Sequence, residues 1–180
     1  MSAQHRPASG EIDLAGAVIV ALGANDKGQF ASCEEGLALA LQRLEGEGCC
    51  IMARSDWWES AAWPDPKDPP FVNGVVIVRT EMDAKALMAT LSRIEDELGR
   101  VRSVRNAPRT LDLDLIAYGR MVGDFDGLLL PHPRAAERLF VMGPLAQIAP
   151  NWLHPVAGKT ARVLAAETTV GTDAHPQSSA

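Results

Sequence analysis

The chain has 180 residues, of which 47% are apolar and 22% are charged, and its formal net charge is −6. This length suits one well-packed domain, and the composition is that of an ordinary soluble globular protein. The negative net charge gives no reason to expect a surface for nucleic acid or membrane lipid. Three cysteines, two of them adjacent at Cys49 and Cys50, make no disulfide framework. With no apolar stretch typical of a signal peptide or membrane span, we expect a cytoplasmic protein.

The first half of the chain alternates between predicted strands and a helix. Residues 17–22 form an apolar run rich in β-branched side chains, which predicts a buried strand. Residues 30–44 carry leucines at helical spacing and predict a helix. Residues 49–58 predict a second strand. The next stretch, 61–70, holds four prolines and predicts a loop.

The second half continues the alternation. Residues 71–80 (FVNGVVIVRT) predict a third strand, and residues 84–98 predict a strongly amphipathic helix that ends before Gly99. Residues 111–118 predict a fourth strand. One or two short helices are expected within 134–148.

The order β-α-β-β-α-β with a C-terminal helical extension predicts an α+β fold. It is the order of the ferredoxin-like sandwich, in which two helices cover one face of an antiparallel sheet. We expect a single domain at 16–165. A flexible N-terminal tail is predicted at 1–15 and a disordered C-terminal tail at 166–180, because both stretches are polar and mixed.

The segment 100–119, RVRSVRNAPRTLDLDLIAYG, is the most informative part of the chain. It begins with four arginines within ten residues and continues into Asp112-Leu113-Asp114. In a strand, these two aspartates point to the same face with Cβ atoms about 6–7 Å apart, while the leucines point into the core. Arginine clusters beside paired carboxylates suit a nucleotide polyphosphate bound with Mg²⁺.

Structural interpretations of the same residues remain open. A lone Asp-x-Asp is also typical of a solvated strand face, and arginines that follow a helix complement its dipole. His132, between two prolines, is a candidate phosphate contact or proton donor and equally a simple turn residue. Gly158-Lys159-Thr160 is no P-loop, because Leu153 stands where the motif requires glycine.

A second group of residues suggests a site for a heterocycle. Asn73 lies in an apolar strand, and its amide can both donate to and accept from a mixed hydrogen-bonding edge. Phe71 and Phe140 could form the walls of an aromatic sandwich. From composition alone, core packing is the favoured interpretation of both rings.

Several separated motifs resemble the 6-hydroxymethyl-7,8-dihydropterin pyrophosphokinase family over residues 17–155. They are, in chain order, ALGAN, FVNGVV, GRVR, PRTLDLDL, the PHP at 131–133 and RLFVMGPLAQIAP. The resemblance implies transfer of diphosphate from ATP to the hydroxymethyl group of a reduced pterin in folate biosynthesis, with AMP as the second product. It also implies a fold that agrees with the predicted element order.

The resemblance assigns roles to individual residues. It implies that Arg100 and Arg109 are catalytic and that Asp112 and Asp114 hold two Mg²⁺ ions. The implied nucleotide-binding residues are Ser92, Glu95, Arg102, Leu115, His132, Pro133 and Arg138. The implied pterin-binding residues are Ser60, Ala62, Trp63, Phe71, Asn73 and Phe140. The partners are then ATP and the pterin, with no nucleic acid or membrane, and we expect a monomer.

Two other classes of function fit part of the pattern. A nucleotidyltransferase could use the same Asp-x-Asp motif, and it would release pyrophosphate. A non-enzymatic ferredoxin-like module would bind a small ligand without turnover, and would leave the arginine cluster unexplained.

Overall fold

The structure is a computed structural model that describes residues 12–62, 65–99 and 111–178. Its strands are β1 (Val18–Ala24), β2 (Cys50–Arg54), β3 (Trp58–Ser60), β4 (Phe71–Arg79), β5 (Asp112–Tyr118), β6 (Gly123–Phe125), β7 (Leu128–Leu130) and β8 (His175–Pro176). Its helices are α1 (Cys33–Gly46), α2 (Ala84–Glu97), α3 (Leu139–Ile148) and α4 (Ala161–Glu167), and a 3-10 turn lies at Ala135–Glu137.

The main sheet is antiparallel, and β5 is its edge strand next to β1. β1 pairs with β4 on one side and with β5 on the other. β2 and β3 both pair with the far edge of β4, and β8 pairs with β3. β6 and β7 form a separate hairpin. The predicted α+β class with an antiparallel sheet is confirmed.

Helices cover both faces of the sheet. On one face, Leu37 of α1 and Leu91 of α2 pack against Leu113 and other inward side chains of the sheet. On the other face, α3, α4 and the connection between them pack Met142 and Trp152 against the sheet. The alternation of side chains along each strand therefore supplies two cores.

The first two helices begin at side-chain caps. Ser32 is the N-cap of α1, and its Oγ accepts the N–H of Glu35 at 3.2 Å. Glu35 Oε2 accepts the N–H of Ala31, the residue before the cap, at 2.6 Å. The cap explains why α1 begins at Cys33 and not at residue 30. Asp83 caps α2 in the same way through the N–H of Ala86.

The predicted strand 49–58 is wrong as a single element, because it is divided into β2 and β3. At the break, Ser55 Oγ accepts the N–H of Val75 at 3.0 Å in place of a regular ladder bond. The ring of Trp57 lies against Gly74, where an added Cβ would stand 2.7 Å from Trp57 Cζ3. The glycine in FVNGVV is therefore required by the packing of this ring.

The C-terminal region also differs from its prediction as a disordered tail from residue 166. Residues 161–167 form α4, Val170 makes a bridge with Arg138, and β8 pairs with β3. Ala174 is buried within this region. Polar composition predicted disorder, but backbone hydrogen bonds to the folded domain order the segment. Residues 1–11 and 179–180 lie outside the described part of the chain.

The described helices are all too short or too polar to cross a membrane.

Thr160, in the sequence that resembles the end of a P-loop, caps the start of α4 through the N–H of Val163. The side chain of Lys159 pairs with Glu167 at 2.6 Å. This stretch is therefore the start of a helix of seven residues.

His154 anchors the connection between α3 and α4 as a neutral imidazole. It is 6% exposed and lies edge-on to Trp152. Its Nδ1 accepts the N–H groups of Val156 at 3.2 Å and Ala157 at 3.1 Å. Burial, and to a smaller degree the positive charge of Arg120, lowers the pKa of His154. Protonation of Nδ1 would remove both hydrogen bonds.

The free energy of unfolding is therefore expected to contain a term from His154 that is lost in mild acid. The unfolded imidazole binds a proton near pH 6.5 and the folded one only at lower pH, so stability falls as the pH drops below 6.5. The slope is at most about 1.4 kcal/mol per pH unit between the two pKa values. Urea unfolding across pH 5 to 7.5 measures it.

The His154→Asn variant is a sharp comparison, because its amide oxygen can accept the same two N–H groups without titrating. We expect a weaker pH dependence in that variant. His175→Asn makes the same substitution at an exposed position and is the matched control. An identical pH profile for His154→Asn and the wild type would contradict the assignment.

Candidate functional site

The two aspartates of β5 lie side by side on the α3 face of the sheet. Both are half-buried, and they alternate with Leu111, Leu113 and Leu115, which are buried against α1 and α2. The predicted alternation is confirmed as far as Leu115. A bulge follows: Ile116 has no residue opposite it on β1, and Ile116 and Ala117 both pack into the core on the α3 face.

Small residues on β1 keep the surface beside these carboxylates open. Gly23 pairs with Asp112 on one side and with Asn73 on the other, and Ala21 pairs with Asp114. A Cβ added at Gly23 would stand 3.5 Å from Asn73 Oδ1. Asp112 and Asn73 are therefore separated by one glycine strand, about 10 Å at the backbone.

A cavity of about 270 Å³ opens over this part of the sheet. Its walls come from the ends of β1, β3, β4 and β5 and from the start of α3. The predicted site residues that line it are Ser60, Ala62, Phe71, Asn73, Asp112, Asp114, Arg138 and Phe140. Residues assigned to metal, nucleotide and pterin thus meet at one cavity.

Asn73 is fixed in place by its own amide. It is 5% exposed, and its Nδ2 donates to Ser60 Oγ at 3.0 Å and to the carbonyl of Phe71 at 3.4 Å. Both N–H groups therefore have protein acceptors, and the carbonyl Oδ1 lies over Gly23. This arrangement presents a preoriented acceptor at the cavity.

Arg138 brings a partly buried positive charge to the part of the cavity wall at the start of α3. Among the described residues, its buried Nε has no hydrogen-bond partner, and its Cζ lies 5.7 Å from the centre of the Phe140 ring. Burial, followed by the charge of Arg134, lowers the pKa of Arg138, while Asp114 opposes the shift. A buried guanidinium donor of this kind favours an anionic ligand.

His132 lies near the charges of Asp114 and Arg138, just outside the cavity lining. Its backbone N–H donates to the carbonyl of Ile116 at 2.8 Å, and its ring Nδ1 accepts the backbone N–H of Arg134 at 3.3 Å. Burial lowers the pKa of His132, and the nearby Asp114 carboxylate opposes this effect. The neighbouring Pro133 is exposed.

The other implied nucleotide residues are distributed differently. Leu115 is buried in the α1–α2 core, and Ser92 lies half-buried on α2. Glu95 is 1% exposed, and its Oε1 accepts the N–H of Leu113, the residue between the two aspartates, at 2.6 Å. Their roles stay predictions. Four further assigned residues lie outside the described part of the chain: Trp63, Arg100, Arg102 and Arg109.

The cavity also contains residues that received no role from the sequence. Asn25, Asp68 and Arg134 line it. Asn25 is buried, and its Nδ2 donates to the carbonyl of Pro69 at 3.2 Å, which ties the end of β1 to the proline-rich loop. Its place at the end of the ALGAN motif was the available signal, but only the sheet order brings it beside Asn73 and Asp112.

Asp112 and Asp114 are the residues that could hold a metal ion. Within the described ranges, no group of three or more His, Cys, Asp or Glu side chains is arranged for a metal. Two carboxylates at the mouth of a cavity suit Mg²⁺, which commonly takes one or two protein carboxylates and completes its shell with water and substrate phosphates.

The fold and site define an α+β protein with an antiparallel sheet and a cavity lined by aromatic, amide, carboxylate and guanidinium side chains. The family model described as 7,8-dihydro-6-hydroxymethylpterin-pyrophosphokinase (HPPK) matches residues 19–150. The chain belongs to this family, which confirms the resemblance seen in its motifs.

Curated relatives agree with this placement. A protein of Synechocystis sp. named 2-amino-4-hydroxy-6-hydroxymethyldihydropteridine pyrophosphokinase is 43% identical over 117 residues, or 65% of this chain and 57% of the relative. A Pseudomonas aeruginosa protein of the same name is 37% identical over 150 residues, or 83% of this chain and 90% of the relative. The folic acid synthesis protein of Pneumocystis carinii is 37% identical over 119 residues, but the chain spans only 16% of its length.

A solved structure shares the fold. The Plasmodium falciparum HPPK-DHPS structure with pteroate superposes with a TM-score of 0.66 at 13% identity, over 84% of this chain and 44% of that chain. The present chain thus spans a little over half of the Synechocystis relative and under half of this structure.

Proposed function

We propose that this protein transfers the β,γ-diphosphate of ATP to the hydroxymethyl oxygen of 6-hydroxymethyl-7,8-dihydropterin, a step of folate biosynthesis. One observation carries the proposal: Gly23 alone separates Asn73 from Asp112 in the register of the sheet. An amide acceptor for a heterocycle and a carboxylate for metal-bound phosphate therefore lie at two ends of one cavity.

The pterin end of the cavity is formed by β3, β4 and α3. Phe71 and Phe140 supply aromatic surface, and Asn73 Oδ1 accepts from the donor groups of the ring edge. Ser60 and the backbone around Ala62 complete this end. The backbone of Trp63, which follows directly in the chain, is proposed to help bind the edge of the pterin ring.

Among the described residues, the phosphate end is formed by β5 and Arg138. Asp112 and Asp114 would hold two Mg²⁺ ions, which neutralise the phosphate charge when bound. Arg138 offers its buried Nε to phosphate oxygens, with His132 and Pro133 beside it. Arg100, Arg102 and Arg109 are proposed to contact the triphosphate, with Arg100 and Arg109 in catalytic roles. Ser92, Glu95 and Leu115 are proposed to contribute to nucleotide binding.

The reaction needs positioning and charge neutralisation more than a general base. The hydroxymethyl oxygen forms a bond to the β-phosphorus, the bond from that phosphorus to the α,β-bridging oxygen breaks, and AMP leaves with that oxygen. The hydroxyl proton is released to solvent. The sheet fixes Asn73 and the two aspartates relative to each other, and this spacing supports a proposal in which the pterin hydroxyl lies beside the diphosphate.

The finer description of the fold belongs to the same proposal. The sheet order β5-β1-β4-β2, with α1 and α2 on one face, supports a ferredoxin-like arrangement in one diphosphokinase domain. A monomeric state and a cytoplasmic location stay predictions.

Product analysis tests this function. Incubation with ATP, Mg²⁺ and the reduced pterin is expected to form AMP and pterin diphosphate, and omission of the pterin or the Mg²⁺ should prevent both. Formation of ADP, release of pyrophosphate as a nucleotidyltransferase would give, or nucleotide binding without turnover would each contradict the proposal.

A further inference from the structure

A C-terminal strap, defined as residues 168–177, crosses the outside of the candidate pterin end. It lies beyond residue 150, where the match to the family model stops. It leaves α4, passes the start of α3 and ends beside β3. The strap thus touches two elements, α3 and β3, that both line the cavity.

The first half of the strap holds the wall that contains Phe140. The carbonyl of Val170 accepts the N–H of Leu139 at 2.9 Å, and the carbonyl of Glu137 accepts the N–H of Val170 at 2.9 Å. Gly171 has φ +64 and packs against Phe140, where an added Cβ would stand 2.4 Å from the ring atom Cδ1. The strap therefore fixes the start of α3 and one face of its aromatic ring.

The second half holds the wall that contains Ser60. Asp173 Oδ2 accepts the N–H of Ala61 at 2.5 Å, a charge-assisted hydrogen bond. His175 pairs with Glu59 in the sheet, and the N–H of Gln177 donates to the carbonyl of Trp57 at 2.8 Å. Ser60, the residue before Ala61, accepts a hydrogen bond from Asn73. The strap therefore contacts the residue next to the one that orients the Asn73 amide.

We propose that the strap is a positioning element for the pterin site, with Gly171 and Asp173 as its positioning residues. The inference rests on the proposed function, because it concerns how that cavity is held in shape. Gly171 fixes the position of the Phe140 ring in the cavity wall. The hydrogen bond from Ala61 to Asp173 fixes the position of the backbone between Ser60 and Ala62. The carboxylates of β5 lie at the other end of the cavity, so the strap acts on the pterin and not on ATP.

Asp173→Ala is expected to raise the KM for the pterin about three- to tenfold, the worth of one hydrogen bond, with the KM for ATP unchanged. Asp173→Asn should restore most of the loss, since its amide oxygen can accept the N–H of Ala61. Thr172→Ala, at the neighbouring exposed position, is the matched control and should behave as the wild type. Titration of the pterin's fluorescence gives its affinity independently of turnover.

Gly171→Ala tests the other wall and has a close control. Its new methyl group meets the Phe140 ring, so pterin affinity should fall by at least threefold. Gly158 has φ +63 and open space around its Cα, so Gly158→Ala imposes a similar backbone strain without contact to the cavity. A loss of pterin affinity shared by both variants is due to backbone strain. The additional loss in Gly171→Ala is due to the contact of the new methyl group with the Phe140 ring.

The outcomes separate the two proposals. If the wild type forms no AMP from ATP and pterin, the proposed function fails. If the wild type is active and Asp173→Ala and Gly171→Ala keep the pterin KM, the strap has no positioning role. An equal rise of both KM values together with a lower Tm would show a purely structural role and would also overturn the inference.

Discussion

Replacement of Asp112 or Asp114 by asparagine is expected to lower kcat by about 10²–10³-fold at saturating ATP and pterin. Asparagine keeps the shape of the side chain but removes the negative charge that attracts Mg²⁺. Both residues are half-buried on the open face of β5, so the core on its other face should remain intact. Steady-state rates at several Mg²⁺ concentrations measure the effect.

A matched control and the Mg²⁺ dependence make this prediction specific. Asp126→Asn introduces the same change in the β6–β7 turn, where the Asp126 side chain is 82% exposed and pairs with Lys85 outside the cavity lining. That variant should keep wild-type kcat. Higher Mg²⁺ should recover part of the activity of Asp112→Asn. Wild-type kcat in both β5 variants would remove the metal assignment.

Asn73→Asp is expected to raise the KM for the pterin by about 10–100-fold and to leave the KM for ATP nearly unchanged. The substitution replaces Nδ2, which donates to Ser60 Oγ and the Phe71 carbonyl, by an acceptor. It also places a charge at a position that is 5% exposed. The amide acceptor for the pterin edge is then no longer oriented, while the carboxylates of β5 are untouched.

Asn151→Asp provides the comparison for Asn73→Asp. It makes the same chemical change at an exposed turn after α3, outside the cavity lining, and both KM values should stay at wild-type levels. Thermal unfolding of both variants shows how much of the effect comes from loss of folded protein. An unchanged pterin KM in folded Asn73→Asp would exclude Asn73 from the pterin site.

The local pattern of the sequence predicts much of the fold because side-chain alternation is a local property. The buried Leu111, Leu113 and Leu115 beside the half-buried Asp112 and Asp114 follow from the period of a strand. The extents of α2 and β4 follow in the same way. What this pattern omits is the bulge at Ile116, because a bulge depends on the partner strand.

The remaining features depend on contacts distant in sequence. The break at Ser55 depends on its hydrogen bond with the N–H of Val75 and on the packing of the Trp57 ring against Gly74. Neither contact can be read from the sequence of residues 49–58. The cavity role of Asn25 requires the order of strands in the sheet. The strap has the polar composition of a disordered tail, and it is ordered by hydrogen bonds to β3 and to the start of α3 and by packing of Gly171 and Ala174.

Isotope tracing tests the central claim most directly. With the wild type, Mg²⁺ and reduced pterin, the β and γ phosphorus atoms of ATP should both appear in the pterin product, and the α phosphorus should appear only in AMP, in equal amounts. Transfer of the γ phosphorus alone would indicate an ordinary kinase, and transfer of the α phosphorus would indicate a nucleotidyltransferase. Either result would contradict the account.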